Sequence, residues 1–216
     1  MTISEMHTGF KVELDKTSSL TLPAFEPEEI DYWLNLSQKK FVEERVNIYN
    51  QSTAQRVVLN KIQDDIRPLF TYETIAVANN FEDLVADYWF LLDAYIDITK
   101  TLEDGTSVTD QKVPCDILNE LELKNYITTP THKPYFDNPK FVLPTDVSDN
   151  FNITVDAFTS LGTDVYLFFV RKPVEVNITT VVSCELPEHT HHNIVNLAAQ
   201  LAFMGLNGQI DVNSEN

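Results

Sequence analysis

An α+β fold is predicted for this 216-residue chain: an N-terminal helix pair and a C-terminal helix packed with an antiparallel β region, behind an extended N-terminal arm. Three observations predict it. Apolar residues recur at three- and four-residue spacings between 27 and 66 and again between 188 and 202. The intervening runs are aromatic and β-branched, with stretches of strict alternation. At 43% hydrophobic residues, the chain can bury a sizeable core as one large domain or two small ones. The expected organisation is an arm over 1–24, a helical part over 25–68 and 186–206, a β-rich part over 69–185, and a tail over 207–216.

In the arm, KVELD has a short strand-like alternation and TSSLTLP the composition of a loop, so it is expected to order against a neighbour. The first helix begins at Pro27, whose missing N–H is no loss in an opening turn. Glu28, Glu29 and Asp31 complement the positive end of its dipole. Ile30, Trp33, Leu34, Ser37, Phe41 and Ile48 share one face, and Lys39, Lys40, Glu43 and Glu44 lie away from it. That face must be buried, with Trp33 in the core. Ser52 and Gln55 fit a capping box for a second helix, whose Ala54, Val58, Ile62 and Ile66 continue on one face until Arg67-Pro68. The short Tyr49–Gln51 link predicts an antiparallel pair.

From Leu69 the signal changes. Residues 73–78 and 87–99 read as strands, the second setting Ala94, Ile96 and Ile98 opposite Tyr95, Asp97 and Thr99. Asp104-Gly105 predicts a two-residue turn closing a hairpin with 107–113. Residues 115–124 read as a short helix or loop, and 130–150, with four prolines, as a linker or loop. Two strands are expected over 151–158 and 163–170 around a Ser-Leu-Gly-Thr turn, and another over 174–182. Leu186-Pro187-Glu188 introduces the last helix, with Ile194, Leu197, Ala198, Leu201 and Ala202 as its apolar stripe and Gly205 near its end.

Trp33, Trp89, Phe90, Tyr166, Phe168 and Phe169 lie in apolar runs and are expected mostly in the core. Consecutive apolar residues from Tyr166 to Val170 point to both faces of one strand, so burying both needs a second layer or a neighbouring subunit.

The 33 acidic against 15 basic residues give a formal charge of −18, which opposes non-specific adhesion to nucleic acid. The longest apolar stretch, Val165–Val170, is far too short to cross a bilayer, so no membrane partner is expected. Cys115 and Cys184 have no CxxC partners and read as ordinary thiols.

His189, His191 and His192 form the one cluster that invites a metal hypothesis, but they do not reproduce the i, i+4 pair of an HExxH site. Hydrogen bonding at the surface or between subunits is the alternative. Cys184 with His189 has nothing to orient the imidazole as a base. Asp64 and Asp65 diverge by about 100° on a helix and read as a solvated face. The five glycines include no Walker loop or dinucleotide fingerprint. No catalytic, cofactor-binding or metal-binding residue is therefore expected.

Three blocks carry a resemblance: FKVELDK followed by FEPEEIDYWLNLSQKKFVEERV, VYLFFVRKPVEV at 165–176, and CELPEHTHHNIVNLAAQLA at 184–202. In their order the chain resembles the ring or connector proteins below the portal in crAss-like, podovirus-type bacteriophages. The blocks cover about a third of the chain and include no enzymatic signature. The resemblance implies a non-enzymatic virion protein made in the host bacterial cytoplasm. It would form a homo-oligomeric ring of twelve copies, contact portal and tail proteins, and let packaged DNA pass without specific binding. Two rival readings come from other classes: a soluble acidic adaptor or DNA-mimic inhibitor, and a metal-dependent enzyme using His189–His192.

Overall fold

A computed structural model describes residues 1–17, 24–50, 56–76, 87–119, 122, 134, 138–142, 152–155 and 159–206. The chain divides into two compact units, one of residues 1–69 with 172–216 and one of residues 70–171. The predicted α+β class, with N-terminal helices, a C-terminal helix and sheet pairing that is antiparallel save for one short parallel pair at residues 116–118 and 140–142, is what the chain adopts.

Among the described residues the first unit contains four helices: α1 (Ile3–Thr17), α2 (Pro27–Asn50), α3 (Arg56–Ile66) and α4 (Glu188–Leu206). The first corrects the expectation of an extended arm. Thr2 and Glu5 exchange two hydrogen bonds, Thr2 N–H to Glu5 Oε2 at 2.7 Å and Glu5 N–H to Thr2 Oγ1 at 3.3 Å, which is a capping box. Beyond it Ile3, Met6, Phe10 and Leu14 make one buried stripe at helical spacing. The brief KVELD alternation lies inside this longer helical period and is overridden by it.

In α2, Ile30, Leu34, Ser37 and Phe41 are buried as expected, but Trp33 and Ile48 are only partly buried. The third helix ends at Ile66, and a 3₁₀ turn at Arg67–Leu69 follows, as the Arg-Pro pair predicts. Ile62 and Ile66 are buried. The Ser52–Gln55 capping box and Ala54 lie outside the described residues. In α4, Ile194, Ala198, Leu201 and Ala202 are buried, Leu197 less so, and the helix packs on both α1 and α2.

The run 174–182, expected as a strand, is instead an irregular segment with one isolated antiparallel bridge between Asn177 and Val182. Its extended backbone finds partners on a helix. Asn35 Nδ2 donates to the Val176 carbonyl at 3.0 Å while Val176 N–H donates to Asn35 Oδ1 at 2.7 Å. Gln38 Nε2 donates to the Val174 carbonyl at 2.9 Å, and Ile178 N–H to Asp31 Oδ2 at 3.0 Å. Asp31, Asn35 and Gln38 lie one turn apart on α2, so a row of helix side chains takes the place of a neighbouring strand. Residues 172–185 thus belong with the helices, not with the β-rich part.

The second unit holds a four-stranded antiparallel sheet in the order β1-β7-β2-β3, made of Phe70–Ala76, Thr159–Arg171, Tyr88–Thr101 and Ser107–Pro114 respectively. A three-stranded sheet orders β4 (Asp116–Leu118), β5 (Lys140–Val142) and β6 (Asn152–Thr154). The alternation read in the sequence is real: Ala94, Ile96 and Ile98 are buried and Tyr95, Asp97 and Thr99 less so. With Val165, Leu167 and Phe169 they form the core, which Phe141 joins from β5.

Several local expectations give way here. The β2–β3 turn spans Glu103 to Gly105, three residues instead of two, closed by Leu102 N–H to Thr106 O at 2.8 Å and Gly105 N–H to Leu102 O at 2.9 Å. Residues 116–118, expected as helix or loop, form a strand. Asn119 and Glu122 then make a reciprocal cap, Glu122 N–H to Asn119 Oδ1 at 2.8 Å and Asn119 N–H to Glu122 Oε2 at 3.2 Å. The proline-rich 130–150 stretch contains the central strand β5, whose Lys140, Phe141 and Val142 are all buried, Lys140 being ion-paired to Asp116. No turn interrupts 160–163, because β7 runs straight through it. Gly162 is there to let β2 approach: a Cβ at this position would stand 2.7 Å from the Asp97 carbonyl oxygen.

Candidate functional site

The three clustered histidines of α4 diverge to different partners. His189 Nε2 lies 2.9 Å from Asp65 Oδ1, and His191 Nε2 lies 2.7 Å from the Leu186 carbonyl, while His192 is exposed. The carbonyl can only accept, so Nε2 of His191 carries the proton and Nδ1 accepts from the Met1 amino group at 3.1 Å. Burial above all pushes the His191 pKa below the ordinary histidine range, against the opposing pull of the Leu186 hydrogen bond. Among the described residues no group of three His, Cys, Asp or Glu side chains could hold a metal ion.

Asp64 and Asp65 diverge as a helix requires, but they are not one solvated face. Asp64 is exposed and pairs with Arg67. Asp65 is buried and ion-pairs with Arg45, Nε to Oδ2 at 3.0 Å, beside His189, a triad that ties α2, α3 and α4 together. A polar pair from α1 and α2 was not foreseen: His7 Nε2 and Asp31 Oδ1, 2.7 Å apart and both buried.

Where α2 begins and α4 ends, an open groove of about 510 Å³ is lined by Phe25, Tyr32, Trp33 and Leu206, with Glu28 and Glu29 beside them. Tyr32 and Trp33 meet edge to face, 5.2 Å between centroids, and Tyr32 is 46% exposed. Behind Trp33 the helix comes very close, since a Cβ on Gly205 would lie 2.8 Å from the indole Cη2. This explains why Trp33 is not wholly buried: its ring lies across the end of α4 and forms a wall of the groove. Glu29 Oε2 accepts the Glu26 N–H at 2.9 Å and so is held in place.

The second unit has its own polar cluster. Opposite Asp97 the pairing of β2 shifts register against both β3 and β7. The Asp97 carboxylate fills the gap, accepting Lys112 N–H at 2.8 Å and the Tyr166 hydroxyl at 2.9 Å. Lys112 adopts φ 54°, and its ammonium stands 5.2 Å from the Tyr72 ring centroid and 5.0 Å from that of Tyr166. Tyr72 and Tyr166 stack 6.1 Å apart, and Tyr72 is 49% exposed. Tyr166 and Phe168 thus leave the core to Leu167 and Phe169, and neither Trp89 nor Phe90 is fully buried.

Cys115 and Cys184 are buried free thiols in separate units, with burial pushing their pKa values up to about 12 and about 11. Among the described residues no helix is long and apolar enough to cross a membrane. No protein-family model matches the chain, and no curated protein matches it.

Proposed function

We propose that the chain is a structural virion protein that forms a ring between portal and tail, without catalysis. One observation carries this reading. The first block, the 172–176 end of the second and the third meet in the first unit, while residues 165–171 of the second block lie in β7 of the second unit: Asn35 and Gln38 bind Val174 and Val176, and α4 packs on α2.

The role is mechanical. In a ring of twelve, each copy would bring a formal charge of −18, and an acidic lumen would let DNA slide without adhering. Residues 3–17 of the expected arm form α1, which packs on α4 within the same unit. The outward side of the four-stranded sheet, with Tyr72 exposed, is the better candidate for contacts between copies or with portal and tail proteins. Imaging of the particle vertex tests this. The chain should appear as a closed ring on the portal-to-tail axis, and its absence from that axis would return the problem to the acidic adaptor or inhibitor reading.

A further inference from the structure

The geometry points to the groove between the start of α2 and the end of α4 as a receptor for an arginine side chain of a partner protein segment. Its walls are aromatic and its charge is negative. Phe25, Tyr32 and Trp33 offer π surfaces on which a planar guanidinium stacks, and Glu28 and Glu29 offer carboxylates matched to its forked donors. The N-terminus of α2 opposes a cation with roughly half a positive charge, and two carboxylates outweigh it. The two carboxylates favour a cationic occupant and would repel an anion. A groove of about 510 Å³ is larger than one arginine side chain, and Leu206 adds apolar surface. The residue beside the arginine in the occupying segment is therefore apolar. This inference rests on the first unit alone and does not depend on the virion reading.

The test uses the full chain and a short blocked probe, acetyl-Leu-Arg-Leu-amide, with the Trp33 indole N–H resonance as reporter, assigned by its loss in Trp33→Phe. The arginine peptide should shift that resonance saturably. Acetyl-Leu-Gln-Leu-amide should not, and added salt should weaken the effect. The Glu28→Gln, Glu29→Gln double variant keeps the helix cap and should weaken binding by about five- to tenfold. No saturable shift up to about 10 mM peptide would overturn the assignment. So would an equal response to the glutamine peptide, or undiminished affinity in a double variant whose thermal midpoint matches the parent.

Discussion

Asp31 holds His7 across the α1–α2 contact, Oδ1 to Nε2 at 2.7 Å, with neither side chain more than a tenth exposed. Its other oxygen accepts the Ile178 N–H at 3.0 Å, so one carboxylate joins two helices and the segment before α4. Replacing it with alanine orphans a buried imidazole nitrogen and a part-buried amide. Asp31→Ala should therefore cost about 2–4 kcal/mol in denaturant unfolding, because an unmade buried hydrogen bond costs more than a made one contributes. A loss no larger than that of an exposed Glu28→Ala control would show that the pair carries no weight.

His191 gives the first unit a pH dependence of known sign. Its folded pKa is lowered by burial, so the unfolded chain binds the proton more readily. The stability tied to this lowered pKa is present above the unfolded value of about 6.5 and is lost as pH falls toward the folded one. Acidification through that window should lower the thermal midpoint of the parent, and His191→Gln should flatten this part of the curve. Parallel curves for parent and variant would place the effect elsewhere.

What the sequence revealed and what it hid divide along physical lines. Long periodic signals survived folding: the face of α2, the alternation of Ala94, Ile96 and Ile98, and the stripe of α4. The signal for α1 was also present, as the Thr2–Glu5 capping box before Ile3, Met6 and Phe10, and was masked by five alternating residues. The strand-like run 174–182 could not be resolved locally, because its partners are Asp31, Asn35 and Gln38, more than a hundred residues away. The same holds for the groove, since Trp33 and Gly205 meet only after α2 and α4 have packed. The Asp97 cluster depends on strand register, which no single-strand pattern encodes.

In that cluster, the phenol of Tyr166 ionises above the ordinary tyrosine range, chiefly because its hydrogen bond to Asp97 favours the protonated form. Burial raises the Tyr88 phenol as well, so ultraviolet titration of the parent should show two late-titrating tyrosines, of which one is lost in Tyr166→Phe. In Asp97→Asn the carboxylate charge is gone, and Tyr166 should titrate earlier. If Asp97→Asn leaves the titration unchanged, the hydrogen bond is not the cause.

The two thiols report on the units separately. With pKa values of about 11 and about 12, Cys184 and Cys115 should alkylate at pH 8 at least about 100-fold more slowly in the native chain than in denaturant, because the thiolate is the nucleophile. Peptide mapping after timed iodoacetamide exposure then assigns opening to the first unit through Cys184 and to the second through Cys115. Rapid native labelling at either position would contradict its burial.

The closest approach in the groove yields a sign reversal. Alanine is preferred over glycine within a helix by about 0.8–1 kcal/mol, so Gly205→Ala alone would be expected to stabilise α4. Its new methyl, however, would stand 2.8 Å from Cη2 and 3.3 Å from Cζ2 of Trp33, and the indole must move or the helix must shift. In the parent the substitution should therefore be destabilising. In a Trp33→Ala background the obstruction is gone, and the same substitution should gain up to about 1 kcal/mol. The double-mutant cycle should return a coupling of about 1–2 kcal/mol between Trp33 and position 205. Equal stabilisation by Gly205→Ala in both backgrounds would mean that Trp33 does not lie across the end of α4, and the groove would lose its wall.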